Sequence, residues 1–563
     1  MATGRDGRSP VSAAPEWARR RTLMLWMVLA VLWFGPLDST HLFEPDEGRY
    51  AEIPREMVAS ADWVTPRLDA IKYFEKPPLQ YWTTALAFEA FGEQAWSARL
   101  WPALAGFLGL LLTRALVRRL YDERTALLAV IIQGSSLLYL ALAHIATLDM
   151  GLCFTLQIAM SALALLAQGQ RGVRARRRAW QLPVLLGVGV ALAVLSKGLV
   201  GILIPGAAAL LYMLWMRDWS LALRAQPWWT LIALIVLASP WFLAVGARNP
   251  EFPHFFFIVQ HVQRYLSSAG FDRYEPPWFY LPVLILGVLP WTALLPRALR
   301  QAQAAARGAE RGTALLLVWA AFVFVFFSLS QSKLIPYILP LIPALAPLLA
   351  RSIAGMAAAR VERHLVALAL IAAVLGLLIL LVWSLPVAAP WVARASRRSI
   401  LGFASAFLLL ALGAALGAQW ARQGRVLAAC AAAGLGSWML AQCALLAAEQ
   451  LPQMQRLIAL EQHTVPWVGN STQIYCVNDY WQPLPFYWGR PCTLVGYRGE
   501  LDFGLQQEPW RSLATLQQFA ADWQRQSDAL AILRPEDYRQ LQTLGLPMHV
   551  IYTAGSLVAV VRR

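Results

Sequence analysis

The stretch LVALALIAAVLGLLILLVWS, residues 365–384, carries no charged side chain over its whole length. As an α-helix rising about 1.5 Å per residue it would be roughly 30 Å long, the thickness of a bilayer's hydrocarbon core. Backbone N–H and C=O groups have no water to bond in that layer, and a helix satisfies them within the segment. A barrel strand would alternate apolar and polar residues, and this run does not. The segment predicts a transmembrane helix.

Working outward, the same signature recurs. Thirteen apolar blocks are expected to span, at about 22–38, 97–116, 125–145, 150–168, 183–197, 199–215, 228–247, 277–296, 312–330, 334–350, 365–384, 400–418 and 426–448. The 563 residues are 58% hydrophobic, and the mean hydropathy is +0.50, beyond the usual range of soluble domains. The formal net charge of +16 falls mainly between the blocks. Arg118 and Arg119, the run from Arg171 to Arg178, Arg217, Arg224, Arg297 to Arg311, Arg351, Arg360, Arg363, Arg422 and Arg425 share one side, which the positive-inside rule makes cytoplasmic. Arg394, Arg397 and Arg398 fall on the other side and break the rule. No basic face lies on a soluble domain, so nucleic acid is excluded as a partner. The basic N-terminus precedes a block with no small-residue cleavage site, which predicts a retained first helix.

Three segments then face outward: about 39–96, about 248–276, and everything after about 449. The fold class expected is a polytopic α-helical membrane protein of about 13 transmembrane helices, residues 1–448, with an outward-facing α/β domain at 449–563. In that domain β-like runs at 474–477, 493–495, 529–533, 549–552 and 557–561 alternate with a helical turn at 482–488 and an amphipathic helix at 512–525. The alternation predicts a partly parallel sheet. Cys153, Cys430 and Cys443 lie in apolar blocks as small core residues. Cys476 and Cys492 fall on neighbouring strands in an oxidising compartment and are expected to form a disulfide.

Chemistry concentrates in the first outer segment, which reads HLFEPDEGRYAE over residues 41–52. Asp46 and Glu47 are adjacent acids; Pro45 fixes the backbone before them and Gly48 frees it after. For acids alone a solvated polar loop is the plainer explanation. The continuation 52–63 predicts a short helix lying in the membrane interface. Then comes YFEKPPLQYW, residues 73–82, where two prolines hold Glu75 and Lys76 extended among aromatic residues. Lys is a compact cation suited to a phosphate. Asp149 lies at the outer end of the third block, after His144, and an acid there is expensive to bury. Lys197 and Lys333 stand at two further outer junctions, where snorkelling to the interface is the alternative. In the second outer segment His254 and His261 are seven apart and share a face on a helix. With Glu75 they would suit a divalent metal such as zinc; hydrogen-bonded loop histidines are the simpler account.

The two motifs EPDEGRYAE and KYFEKPPLQYW together resemble the aminoarabinose transferases of Gram-negative bacteria. These are GT-C membrane glycosyltransferases related to protein O-mannosyltransferases. The resemblance implies a multi-pass inner-membrane enzyme, active on the periplasmic side as a monomer, without a required cofactor. It implies an undecaprenyl-phosphate-linked 4-amino-4-deoxy-L-arabinose donor and a lipid A phosphate acceptor, and hence resistance to polymyxin and other cationic antimicrobial peptides. On this basis Asp46, Lys76 and Asp149 are expected to be catalytic. Glu47, Arg49, Tyr50, Tyr73, Glu75, Tyr81, Lys197, Arg264, Lys333 and Tyr337 are expected to bind substrate. A lipid-phosphate leaving group needs charge stabilisation more than a proton, and no isolated nucleophile stands out, so direct displacement with inversion is expected. Two other activities use the same architecture or composition. A related transferase of another sugar is one, and a lipid flippase is the other; internal repeats and midplane charges would mark the second, and neither is evident.

Overall fold

The computed structural model describes residues 16–169, 180–263, 265, 275–384 and 396–562. Among these, eight helices are long and apolar enough to cross a membrane, from Leu100–Leu120 to Val426–Glu449, and two bent pairs pass the same test as units. Three shorter apolar helices, Met24–Asp38, Gln181–Lys197 and Val200–Met216, accompany them. Each expected block falls on one of these elements.

Two blocks are not straight. Glu123–Ser135 and Leu137–Ala143 meet at 65°, and Pro277–Gly287 meets Thr292–Arg307 at 111°. The second bend corrects the boundary expected at 277–296. Helix Leu295–Arg307 buries Leu295, Ala298, Ala302 and Ala306 at three- and four-residue spacing, which is the pattern of an amphipathic helix packing one stripe on the bundle. Arg297 and Arg300 lie off that buried stripe.

The first outer segment is a folded unit. Helix Asp46–Ser60 precedes a two-stranded hairpin, β1 (Arg67–Leu68) and β2 (Ile71–Lys72), and then helix Leu79–Phe91. Asp69 and Ala70 turn the hairpin with φ of 57° and 61°. The interfacial placement expected for 52–63 is overturned. Residues Glu47 to Met57 are all buried, because this helix lies under the C-terminal domain. At Gly48 a side chain would stand 2.3 Å from the backbone nitrogen of Pro483, so only glycine permits that approach.

The C-terminal domain carries one six-stranded sheet: β3 (Gln473–Val477), β4 (Thr493–Val495), β5 (Ser512–Leu513), β6 (Ala529–Leu533), β7 (His549–Ala554) and β8 (Leu557–Arg562). The order is β5-β4-β3-β6-β8-β7. The first four strands run parallel, and β8 runs antiparallel to both its neighbours, β6 and β7, a partly parallel sheet as expected. One face of the sheet shares a core with the outer segment: Tyr50, Ile53, Met57 and Tyr73 pack with Ile474, Trp481 and Ile532. The other face is closed by Phe519 and Trp523, from helix Leu516–Arg525. Cys476 and Cys492, expected as a pair, are neighbours on adjacent strands with sulfurs 2.7 Å apart. The Cys492 N–H is taken by the Asp69 carboxylate at 2.6 Å.

Candidate active site

Four stretches meet at the outer end of the bundle around a cavity of about 350 Å³. The KPP motif supplies Glu75 and Lys76. The junction of helices Gln181–Lys197 and Val200–Met216 supplies Lys197, Leu199, Val200 and Leu203. The π-helix His254–Gln263 supplies Gln260, His261 and Val262, and the junction 326–337 supplies Phe326, Phe327, Ser330, Ser332 and Tyr337. One wall is apolar and one end is cationic.

The cations are held in place. Lys197 ends its helix, so its ammonium emerges where the backbone stops. Its Nζ lies 2.5 Å from Asp149 and 4.5 Å from the centre of the Tyr337 ring. Lys76 Nζ donates to the Glu75 carbonyl at 3.0 Å and lies 3.8 Å from its carboxylate. Asp149, which opens helix Leu148–Gln168, thus meets a lysine from another span.

Glu75 joins this cavity to a second cluster. Tyr50, Tyr73 and Tyr81 are fully enclosed, and burial is the main cause that pushes all three hydroxyls up, with Glu75 adding to it. The hydroxyls of Tyr73 and Tyr81 and Oγ of Ser332 have no hydrogen-bond partner among the described residues. A buried polar group left so costs about 1–3 kcal/mol, and of the three Ser332 lines the cavity. Tyr50 and Tyr81 stack with centroids 6.2 Å apart. Asp46, the first residue of its helix, is half-exposed and paired with Arg49 at 2.8 Å. Arg49 also pairs with Glu500 of the C-terminal domain.

Three expected site residues are placed elsewhere, and one lies outside the described residues. Glu47 is fully buried and committed to the fold. It takes two bonds from Arg99, at 2.7 and 2.8 Å, and the N–H groups of Phe43 and Ala146. Lys333 does not line the cavity; its ammonium caps the carbonyls of Ser330 and Glu275, and burial lowers its pKa. His254 is exposed, whereas His261 faces the cavity and accepts the Leu199 N–H at 3.3 Å. The reason is the winding. A π-helix bonds i→i+5, so residues seven apart no longer share a face. Among the described residues no three His, Cys, Asp or Glu side chains gather as a metal site, so the Glu75, His254, His261 set is not assembled. Arg264 lies outside the described residues.

Gln260, Ser330, Ser332 and Tyr265 line the cavity and were not anticipated. Their only sequence signal is adjacency to residues that were. Arg99 and Glu500 left no local signal, since their partners are 52 and 451 residues away.

A helical membrane bundle with a lysine-ended cavity and a tyrosine–carboxylate cluster under an outer α/β domain is the architecture of a GT-C membrane glycosyltransferase. Residues 460–562 match the aminoarabinose transferase C-terminal domain, and residues 20–256 match the dolichyl-phosphate-mannose-protein mannosyltransferase family. An undecaprenyl phosphate-alpha-4-amino-4-deoxy-L-arabinose arabinosyl transferase of Erwinia tasmaniensis is 34% identical over 504 residues, 86% of this chain and 87% of the relative. One from Pseudomonas aeruginosa is 38% identical over 339 residues, 60% of each chain. The crystal structure of ArnT from Cupriavidus metallidurans bound to undecaprenyl phosphate superposes with a TM-score of 0.88 at 34% identity, covering 98% of both chains. The chain belongs to the aminoarabinose transferase family.

Proposed function

We propose that this glycosyltransferase moves 4-amino-4-deoxy-L-arabinose from undecaprenyl phosphate to a lipid A phosphate, at the periplasmic face of the inner membrane. The observation that carries the proposal is the cavity. Its apolar wall of Leu199, Val200, Leu203, Phe326 and Phe327 suits a polyprenyl chain, and Lys76 and Lys197 at its polar end suit the phosphate. The relative from Cupriavidus metallidurans was solved with undecaprenyl phosphate, which supports the same class of donor.

The chemistry follows from the charges. As the bond from sugar to phosphate breaks, negative charge grows on the leaving phosphate, and the two lysines stabilise it more in the transition state than in the ground state. The acceptor phosphate oxygen is already anionic, so no strong general base is needed. Glu75, beside the tyrosine cluster, is placed to take the donor's ammonium, and Asp46 and Asp149 orient the sugar or stabilise a cationic ring carbon. The displacement inverts the anomeric centre. Masking a lipid A phosphate lowers the surface charge that draws polymyxin.

The test is the mass of lipid A from cells that lack the endogenous enzyme but make the donor. The intact chain adds one aminoarabinose mass and Lys76→Ala removes that addition. Unmodified lipid A with the inserted wild-type chain, or full modification by Lys76→Ala, refutes the proposal.

A further inference from the structure

At the other end of the bundle from the active site, a groove of about 450 Å³ opens between helices Leu100–Leu120, Leu148–Gln168 and Gln181–Lys197. Two helices build its walls in matching steps. On the first, Arg119, Ala115, Leu112 and Leu108 follow at spacings of four, three and four. On the second, Leu165, Ser161, Ile158 and Phe154 follow at the same spacings. Each stripe covers about 16 Å at 1.5 Å per residue. The groove is therefore graded: a cation at the end of the bundle, a hydroxyl one turn deeper, and aliphatic and aromatic walls beyond.

Both polar groups lack partners among the described residues. Arg119 is exposed and has no ion pair among the described residues, while its neighbour Arg118 lies 3.9 Å from Glu123. Ser161 is only 3% exposed, and its Oγ has no hydrogen bond among the described residues. On the same helix Thr155 bonds back to the Gly151 carbonyl at 2.9 Å, so an unsatisfied hydroxyl is not the habit of this helix. A buried hydroxyl lining an apolar groove, below an exposed guanidinium, matches an amphiphile with an anionic head, an acceptor just beneath it and a hydrocarbon tail.

We propose that this groove binds one anionic diacyl phospholipid from the leaflet opposite the active site. Its phosphate pairs with Arg119, an ester carbonyl accepts the Ser161 hydroxyl, and an acyl chain lies along Leu112, Ile158, Leu108 and Phe154. Sulfate-like small anions are excluded by the apolar depth, and a zwitterionic lipid lacks the net charge that Arg119 selects.

The experiment is native mass spectrometry of the detergent-purified full chain, with dioleoyl phosphatidylglycerol and dioleoyl phosphatidylcholine at equal concentration. The wild type is expected to retain one phosphatidylglycerol about fivefold over phosphatidylcholine, the worth of one basic side chain against an anionic lipid. Arg119→Gln brings the ratio to parity, Arg118→Gln leaves it, and Ser161→Ala lowers occupancy. Ala115→Trp, which fills the groove from its exposed side, displaces the lipid. Equal retention of both lipids by the wild type overturns the proposal. So does an equal loss of preference in Arg118→Gln, which would reduce the effect to diffuse surface charge, or undiminished retention in Ala115→Trp.

Discussion

Lys197 is held at the cavity by Asp149. A lysine at the end of an apolar helix would ordinarily snorkel to the interface, but the carboxylate 2.5 Å away and the ring of Tyr337 hold it at the cavity. Removing one member of such a pair strands the other, at a cost of about 3 kcal/mol, whereas replacing both by apolar residues is nearly neutral. Asp149→Ala is therefore expected to lower both the thermal unfolding midpoint and sugar transfer. The double variant Asp149→Leu/Lys197→Met is expected to recover the midpoint and not the transfer; recovery of both would make the pair merely structural. A second residue-scale prediction concerns Asp69, where burial pushes the carboxyl up to about 8. An acid whose folded pKa is raised contributes its stability in full below the unfolded value of 3.8, and that contribution is lost as pH rises to about 8. The unfolding midpoint should fall across that window. Asp69→Asn keeps an acceptor for the Cys492 N–H and tolerates the left-handed backbone, so it should flatten the profile; an unchanged slope would show that other groups set it.

At the scale of the element, legibility in the sequence followed the range of the interactions. Spans are specified by composition alone, so all thirteen blocks found their helices. Five of the six sheet strands were legible because β-rich runs between helical patterns need only local reading; the two-residue β5 (Ser512–Leu513), expected as the start of a helix over 512–525, was not, and the helix begins at Leu516. What was missed depended on distance. The stretch 52–63 reads as an interfacial helix because its apolar residues imply a lipid cover, whereas the cover they have is a C-terminal domain distant in sequence. Glu47 reads as a site acid because nothing nearby shows that Arg99 takes it. The metal set failed on helix type, which spacing does not reveal. The contact that seats the helix gives a test. A methyl group at Gly48 would press on the backbone of Pro483 and Gln482, at 2.3 and 2.5 Å, and backbone cannot swing aside as a side chain can. Overpacking of this kind costs about 1–3 kcal/mol. Gly48→Ala is expected to loosen the C-terminal domain and raise its susceptibility to limited proteolysis, and a cleavage pattern identical to wild type would count against this packing.

For the whole molecule, the question is what the C-terminal domain contributes to a reaction whose cavity lies in the bundle. Its sheet packs on the outer segment, and its charged groups reach further. Glu508 pairs with Arg67 at 2.8 Å, the Gly489 carbonyl accepts from Arg55 at 2.8 Å, and Glu500 pairs with Arg49 while accepting from Gln482 at 3.0 Å. Arg49 is the only one of these partners in contact with Asp46, which it holds at 2.8 Å. The domain thus fixes the carboxylate at the head of the helix through a two-step relay, from Glu500 to Arg49 to Asp46. Positioning through a charge-assisted bond is worth about 1.5–3 kcal/mol, and it acts on orientation more than on donor affinity. Glu500→Gln keeps the size of the side chain and removes its charge. It is expected to lower kcat by about tenfold or more, with KM for the lipid-linked donor little changed and the unfolding midpoint within a few degrees of wild type. A fall in the midpoint that accounts for the lost activity would reduce Glu500 to a structural clamp. An unchanged kcat would mean that Arg49 orients Asp46 without help, and that the domain serves the reaction only by covering the helix.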